Sequence, residues 1–311
     1  MCSSDLLITA EIVDDIIADY IKDNCSGAGT IYILGGPSSV SSYFENLLNG
    51  YTVKRLAGSD RFDTNLLVLN ELQIGETLII CSGLSFPDGL SASALNYPVM
   101  LVYNFLSDAQ KTWISSHQIK NFYILGGSAS VNQNIENTLK TYGRTIRIAG
   151  EDRFDTSFKI ANYFFSDNTG AIFTSGLNYP DGLCSGPLAQ LKGYPIILTA
   201  DPYITKACDY TNLNGIHHGV VIGGGEWISD TKMEYILDFR NVILPDFYSI
   251  YDYSQDSETV KSGIETYLKE NGFENYSITV GEYQMTPGVV AYQNYSGKVG
   301  NRINVVVKIQ K

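Results

Sequence analysis

Short apolar runs bounded by glycine or proline alternate along the chain with segments whose apolar residues recur at helical spacing. The runs have the length of buried strands and lie at 31–34, 78–81, 99–102, 122–125 and 145–148. The helical patterns cover 60–72, which Ser59 or Asp60 can cap, and also 107–117 and 130–142. Alternation of strands and helices predicts an α/β fold with mostly parallel sheets.

The pattern repeats itself along the sequence. The ten residues R-L-A-G-S-D-R-F-D-T at 55–64 return at 147–156 with eight identities, and S-G-L-S-F-P-D-G-L at 82–90 returns as S-G-L-N-Y-P-D-G-L at 175–183. The turn I-L-G-G occurs at 33–36 and 124–127, and more loosely at 221–224. The chain is therefore built from a repeating unit of about 92–97 residues, long enough for a four-stranded sheet with helices on its faces.

The repeat divides the chain into four parts. Residues 55–146 and 147–240 are complete repeats, whereas 1–54 match only the second half of one. Residues 241–311 predict a small α+β module of unknown role, with a helix at 257–271 and strands at 277–283, 288–292 and 303–309.

The partial first repeat predicts an exposed apolar face. A strand at 6–9 should precede an amphipathic helix on which Ile12, Ile16, Tyr20 and Ile21 lie at helical spacing. Because a repeat buries its faces mainly against its neighbours, half a repeat leaves one side uncovered. We therefore expect self-association through this side.

Composition excludes several classes of protein. The 311 residues carry a net charge of −12, which argues against a nucleic-acid partner, and no apolar run is long enough for a membrane span. The five cysteines include no C-x-x-C pair, so neither a disulfide framework nor a zinc site is expected. Cys81 and Cys184 are interpreted as buried structural thiols. The 22 tyrosines suit either stacking platforms or ordinary packing.

Both repeated motifs fall where a strand ends and a helix begins. In a parallel sheet such turns share one edge, where ligands bind, so the two motifs should meet on one rim. Arginine there can bind carboxylate or phosphate, and aspartate can orient the arginine or accept hydrogen bonds from sugar hydroxyls. The candidate ligand-binding residues are Arg55, Asp60, Arg61, Thr64, Ser82, Asp88, Arg147, Asp152, Arg153, Thr156, Ser175 and Asp181. Helix capping and packing between repeats explain the same residues equally well, and both interpretations stay open.

Catalysis finds little support in the sequence. His117 has no obvious partner, and His217 and His218 are adjacent, so they would point apart in a strand. No nucleophile or metal-ligand motif is present, and the Gly-Gly turns lack a nucleotide-binding pattern, so tight-turn geometry explains them. We expect no cofactor and no metal. Repetition itself favours an adhesive module, because several equal sites raise the overall affinity.

At these motifs the chain resembles the cell-wall-binding repeat type 2 family of Gram-positive surface proteins. The likeness covers about 1–240 and depends on the two motifs, the P-[IV]-x-L strand and the I-L-G-G turn, in the same order. It implies Toprim-like α/β units around a pseudo-threefold axis and non-covalent anchoring to an anionic cell-wall polysaccharide at the cell surface. The family's signature positions are occupied by Arg55, Asp60, Arg61, Thr64, Arg147, Asp152, Arg153 and Thr156, and by the Pro-Asp pairs at 87–88 and 180–181.

Two expectations complicate this interpretation. The chain as given shows no signal peptide, although the resemblance implies an extracellular location. A protein of charge −12 is repelled by an anionic polymer at long range, so binding requires either a local basic pocket or bridging divalent ions. Two other functions stay open: an enzyme of wall turnover, since such repeats accompany amidase domains in the family, and a purely structural surface-layer array.

Overall fold

Parallel β-sheets organise the computed structural model, which describes residues 14–25, 29–166, 168–216, 218–237, 257–270, 276–281 and 305–310. The strands are β1 (Thr30–Leu34), β2 (Thr52–Leu56), β3 (Thr77–Ser82), β4 (Val99–Val102), β5 (Asn121–Leu125), β6 (Arg144–Ile148), β7 (Ala171–Ser175), β8 (Ile196–Thr199), β9 (Gly219–Ile222), β10 (Tyr276–Gly281) and β11 (Val305–Gln310).

Helices connect most of these strands. They are α1 (Asp14–Asn24), α2 (Tyr43–Leu47), α3 (Arg61–Glu71), α4 (Pro87–Ala92), α5 (Asp108–Ser116), α6 (Gln133–Leu139), α7 (Arg153–Phe164), α8 (Ser185–Lys192), α9 (Thr205–Asn214), α10 (Asp230–Leu237) and α11 (Ser257–Glu270), with a 3₁₀ turn at Asp181–Cys184 before α8.

The largest described sheet has the strand order β4-β3-β5-β6, and every pair in it is parallel. In the central strand β3, Leu78, Ile79, Ile80 and Cys81 are fully buried. A parallel strand covered by helices on both faces needs apolar residues at successive positions, which is the origin of the unbroken apolar run. A second sheet, β8-β7-β9, repeats this order for its three described strands. The predicted α/β fold with mostly parallel sheets is confirmed.

The folded units are displaced from the sequence period. Strand β6 carries Arg147 and pairs with β5, so the sequence boundary between 146 and 147 falls inside a strand of the first large sheet. We call residues 57–148 the first unit and residues 149–237 the second unit. Each begins with the loop and helix of the D-R-F-D motif.

Capping determines where several helices begin. The Asp60 carboxylate accepts hydrogen bonds from the backbone N–H of Phe62 and Asp63 at 2.8 Å, so α3 starts at the predicted place. Helix α6 is shorter than the predicted 130–142, which was wrong at both ends. It begins after Asn132, whose side chain caps it, because residues 127–131 are taken up by a turn.

Positive backbone angles explain the repeated Gly-Gly turns. Gly35, Gly126 and Gly223 have φ of 107°, 109° and 130°. L-residues with a side chain rarely adopt this region, so glycine is needed where each turn leaves its strand. The interpretation as tight turns is confirmed.

The two units pack on one another through α4 of the first and α7 of the second. Leu90 on α4 and Phe154 on α7 are each 5% exposed and share one apolar cluster. The side-chain amide of Gln190 also donates to the Ser93 carbonyl oxygen across the interface, at 2.9 Å.

The corresponding surface of the second unit is uncovered in the part of the chain that the structure describes. Leu183 occupies the position of Leu90 and is 39% exposed, and Leu191 nearby is also exposed. Cys184 is exposed too, so its assignment as a buried thiol was wrong. Its counterpart, Ser91, is buried because the second unit covers α4. Cys81 is buried, as predicted.

The N-terminal elements form their own small core. Strands β1 and β2 pair in parallel, and the core includes Ala18, Ile33 and Phe44. Ile21 belongs to the buried face of α1, but Tyr20 is exposed and does not, since its position faces away from this core. Ile12 and the strand predicted at 6–9 lie outside the described residues, as do the side chain of Ile16 and the face expected to mediate self-association, which stays a prediction.

The C-terminal segment contains the predicted helix, observed as α11, on which Ile264 is fully buried. Strands β10 and β11 pair in parallel and match the strands predicted at 277–283 and 303–309. The strand predicted at 288–292 lies outside the described residues. Among the helices described, none is long and apolar enough to cross a membrane.

Candidate functional site

Arg55 and Arg147 hold the glycine turns in place. The Nη1 of Arg55 donates to the Gly35 carbonyl oxygen at 2.8 Å, and that of Arg147 to the Gly126 carbonyl oxygen at 2.7 Å. Both side chains are mostly buried and each forms a 2.8 Å ion pair, with Glu45 and Glu136 respectively.

The pairing of Arg147 also affects its acidic partner. Hydrogen bonds from Lys140 and Arg147 lower the pKa of Glu136 to about 2. The observed partners of Arg55 and Arg147 are therefore the carbonyl oxygen of a glycine turn and a glutamate of the helix that follows that turn, and this geometry favours a packing role.

Four hydroxyl side chains among the candidates close the motif loops. Thr64 and Thr156 accept hydrogen bonds from the backbone N–H of Gly58 and Gly150, at 2.9 and 3.0 Å. Ser82 and Ser175 are buried, and their hydroxyl oxygens accept N–H groups two residues further on, at 3.2 and 3.1 Å. These contacts fix the two loops that surround the strand ends.

Arg61 and Arg153 join the two motifs within each unit. The Arg61 Nη1 donates to the Gly83 carbonyl oxygen at 2.9 Å, and the Arg153 Nη1 donates to the Gly176 carbonyl oxygen at 2.7 Å. The D-R-F-D and S-G-x-x-x-P-D-G motifs therefore meet at the carboxyl ends of β3 and β7, as the sequence predicts. We call this edge of each unit the strand-end rim.

An aromatic ring forms the floor of each rim. A Cβ on Gly83 would lie 2.4 Å from the Phe62 ring, and one on Gly176 would lie 2.5 Å from the Phe154 ring. Glycine is thus required because the aromatic side chain packs directly on the backbone after the strand. The second residue of each S-G motif is explained by this contact.

A tyrosine then covers each floor. The Tyr103 ring lies 5.8 Å from the Phe62 ring, and the Tyr203 ring stacks on Phe154 at 4.8 Å with an interplanar angle of 13°. Sequence comparison of the repeats missed both tyrosines. Tyr103 directly follows β4, whereas Tyr203 lies four residues beyond β8, so the two do not align. The available signal was a tyrosine just beyond a buried strand in each repeat.

The two aspartates of the Pro-Asp-Gly turns differ in their surroundings. Asp88 is 7% exposed, lies against Gly126 and faces Arg153 of the second unit. Asp181 is exposed and lies beside Gly223. Burial raises the pKa of Asp88 to about 6, although the hydrogen bond with Ser130 and the charge of Arg153 act in the opposite direction.

Asp88 predicts an unusual dependence of stability on pH. Because its pKa in the folded protein is about 6, above the ordinary 3.8, the folded state binds this proton more tightly than the unfolded state. Its contribution should favour folding by up to about 3 kcal/mol as the pH falls from about 7 to 4. Asp88→Asn should abolish this component. Urea unfolding of both proteins between pH 4 and 8 measures it, and parallel curves would contradict the assignment.

Histidine and metal chemistry are not evident at the rims. His117 stacks on Trp113 with ring centroids 4.1 Å apart, and its Nδ1 lies 2.8 Å from the Trp113 carbonyl oxygen. His217 lies outside the described residues. Within the described ranges, no group of three or more histidine, cysteine, aspartate or glutamate side chains is placed to hold a metal ion.

Two curated proteins of Bacillus subtilis (strain 168) are similar to the chain. The N-acetylmuramoyl-L-alanine amidase LytC is 34% identical over 188 residues, which are 58% of this chain and 38% of that protein. The amidase enhancer is 32% identical over 183 residues, which are 57% of this chain and 25% of that protein. The chain thus spans less than two fifths of either relative.

Two solved structures from Clostridium difficile share the fold. Cwp8 superposes with a TM-score of 0.61 and 26% identity, covering 69% of this chain and 39% of Cwp8. Cwp6 superposes with a TM-score of 0.64 over 85% of this chain and 41% of Cwp6, at 21% identity, and so shows the fold alone.

The model of the family described as cell wall binding domain 2 (CWB2) matches residues 55–136 and 147–233, which together are more than half of the chain. The matched residues include both strand-end rims and every candidate residue named above. The chain therefore belongs to the cell wall binding domain 2 family and is a repeat-containing, cell-wall-binding surface protein.

Proposed function

We propose that the chain attaches non-covalently, and without catalysis, to an anionic polysaccharide of the Gram-positive cell wall through its strand-end rims. The observation that carries this proposal is the same arginine arrangement in both units. Arg61 and Arg153 each use one Nη1 to grip the carbonyl oxygen of a motif glycine. The rest of each planar guanidinium presents further N–H donors suited to a carboxylate or phosphate.

Local charge supports the proposal despite the net charge of −12. The Asp60 carboxylate next to Arg61 accepts two backbone N–H groups at the start of α3, and Arg61 forms no ion pair among the described residues. Arg61 is also exposed. A short-range contact can therefore form at the rim while long-range repulsion is screened at physiological salt.

Two rims on one chain raise the retention on a repetitive polymer. When one rim is bound, the other experiences a high effective concentration of polymer, so modest individual affinities combine. We further propose that the units are Toprim-like and arranged about a pseudo-threefold axis, with 1–54 acting as a partial repeat, and that the protein is located at the cell surface.

Sedimentation with purified Gram-positive walls tests the proposed function. The protein should pellet with native walls and stay in solution with walls stripped of phosphodiester-linked polymer by hydrofluoric acid. Repeating the assay with a chelator separates direct binding from bridging by divalent ions. Equal retention on native and stripped walls would overturn the proposal.

Similarity to LytC and to the amidase enhancer favours one second candidate: a protein that takes part in wall turnover by an amidase. Here the rims would deliver that activity to the wall. Incubating the protein alone with purified walls, and separately together with an amidase, tests it. Release of soluble muropeptides by the protein alone would show catalysis, and faster release by the added amidase would show an accessory role.

A further inference from the structure

Each strand-end rim presents a partly exposed tyrosine ring, which packs on the phenylalanine that directly follows the rim arginine in the sequence. Tyr103 is 43% exposed and Tyr203 is 47% exposed, although each covers a motif phenylalanine. In the first unit, Phe105 is 62% exposed and extends the surface, with its ring 6.2 Å from that of Tyr103. Part of each tyrosine side chain is therefore accessible to a ligand.

The hydroxyl groups of these tyrosines have no protein partner within the described ranges. Other tyrosines do use theirs: the Tyr51 hydroxyl donates to the Cys25 carbonyl oxygen at 3.0 Å, and the Tyr210 hydroxyl accepts from Asn168 at 2.9 Å. Packing alone would explain a ring on the phenylalanine. It does not explain why both tyrosines stay more than 40% exposed with a hydroxyl that no described group binds.

The two units reach this arrangement by different routes. Tyr103 follows β4 directly, and Tyr203 comes four residues after β8, yet each ring meets the phenylalanine of the D-R-F-D motif. The two tyrosines are therefore not copies of one position in the ancestral repeat. A requirement for an aromatic ring at each rim explains why both units place one there.

In the second unit the aromatic surface continues across the junction with the first. The Tyr179 ring lies 5.5 Å from the Phe86 ring, and the Arg153 guanidinium lies over Phe86 at 5.6 Å from its centroid. Arg153 is therefore held between an aromatic residue of the first unit and the Gly176 carbonyl oxygen. The guanidinium on this rim is therefore fixed in place against an aromatic ring.

An aromatic ring and a cation on the same rim favour ligands of a particular chemical class. The apolar C–H face of a pyranose ring packs on the electron-rich face of an aromatic ring, and the hydroxyls at its edge need polar partners. A carboxylate or phosphate substituent on the same sugar matches the guanidinium. A neutral glycan would use only the ring, and a simple inorganic anion only the arginine.

We propose that Tyr103 and Tyr203 are stacking platforms on which pyranose rings of the wall polymer lie, each beside the arginine that binds the anionic substituent of that polymer. This inference depends on the proposed function. It assigns the ligand as an acidic glycan, of which each unit binds one sugar ring. The platforms add the contact by which a sugar polymer is preferred over other polyanions.

The test compares wall binding of Tyr103→Ala/Tyr203→Ala with that of Tyr103→Phe/Tyr203→Phe. The alanine variant should lose about tenfold in affinity per platform, and the phenylalanine variant should stay within about threefold of the parent, since it keeps the ring face. Tyr97→Ala is the matched control. Tyr97 is also 43% exposed and lies 6.2 Å from one phenylalanine ring, but it precedes β4 and so lies at the opposite edge.

Melting curves show whether each variant is folded. If the alanine variant unfolds, Tyr103→Leu/Tyr203→Leu keeps an apolar cover over the phenylalanines without the aromatic face and should lose binding equally. Parent-like binding of the folded alanine variant or the folded leucine variant to native walls would overturn the stacking proposal. Failure of the proposed function is distinguishable, because the parent protein would then not discriminate native from stripped walls. A second arm uses polyphosphate, a polyanion without sugar, whose binding should be insensitive to both tyrosines.

Discussion

Arg61→Glu combined with Arg153→Gln is expected to lower the affinity for native walls on the order of a thousandfold while the protein stays folded. A charged hydrogen bond at a rim contributes about 1.5–3 kcal/mol, and reversal at Arg61 adds repulsion. Glutamine is chosen at position 153 because a glutamate there would face the buried Asp88. Sedimentation with walls over a range of protein concentrations measures the loss.

Lys111→Glu is the control for this variant. It makes the same change in charge as Arg61→Glu, but at a different place. Lys111 lies on α5, where it is partly exposed and pairs with Asp108 at 3.1 Å. Its wall binding should stay close to that of the parent. If the arginine variant instead loses its cooperative melting transition, the arginines pack the repeats rather than bind polymer, and the proposed role of the rims is refuted.

Gly150→Ala should destabilise the protein by about 4 kcal/mol or more, among the largest effects of any single substitution. A Cβ at this position would lie 2.4 Å from the Thr156 backbone nitrogen and 2.5 Å from the Asp155 carbonyl carbon. Both atoms belong to α7, which is fixed by its cap and by its packing on α4, so neither can move aside cheaply. Urea unfolding at constant pH measures the cost.

Gly127→Ala provides the comparison, because nothing lies within 4 Å of its Cβ position and its φ is not in the left-handed region. It should change the free energy of unfolding by less than about 1 kcal/mol. Similar costs for the two variants would show that the motif glycine is required for something other than the close approach of α7.

Local patterns predicted the elements well because each signal acts within a few residues. The apolar run at 99–102 is strand β4 to the residue. Ser107 caps α5: its hydroxyl accepts the backbone N–H of Gln110, and the Gln110 side-chain oxygen accepts the backbone N–H of Ser107. The rim itself was also predictable, since the ends of parallel strands share an edge. The resemblance of the repeated motifs added the family, which the comparison confirms.

Contacts made between units were not predictable from the repeat. Asp88 and Asp181 occupy the same motif position, but among the described residues only Asp88 is covered by a following unit, and this burial raises the pKa of Asp88. The same cover explains why Ser91 is buried while Cys184, at the same motif position, is exposed. Tyr103 and Tyr203 were missed because equivalent rings come from loops of unequal length, and a sequence period registers only equal spacing.

The separate core of the N-terminal elements has a kinetic consequence. Apolar clusters run through both full units, whereas Lys54 of β2 and Tyr32 of β1 reach α3 through polar contacts with Glu71, whose carboxylate accepts from them at 2.6 Å and 3.4 Å. Amide protons of β1 and β2 should therefore exchange with solvent deuterium by a local opening that leaves β3 and β7 protected. The ion pair between Lys54 and Glu71 is exposed to water, so added salt should screen it. Salt should therefore speed the opening of β1 and β2 before it affects β3 and β7.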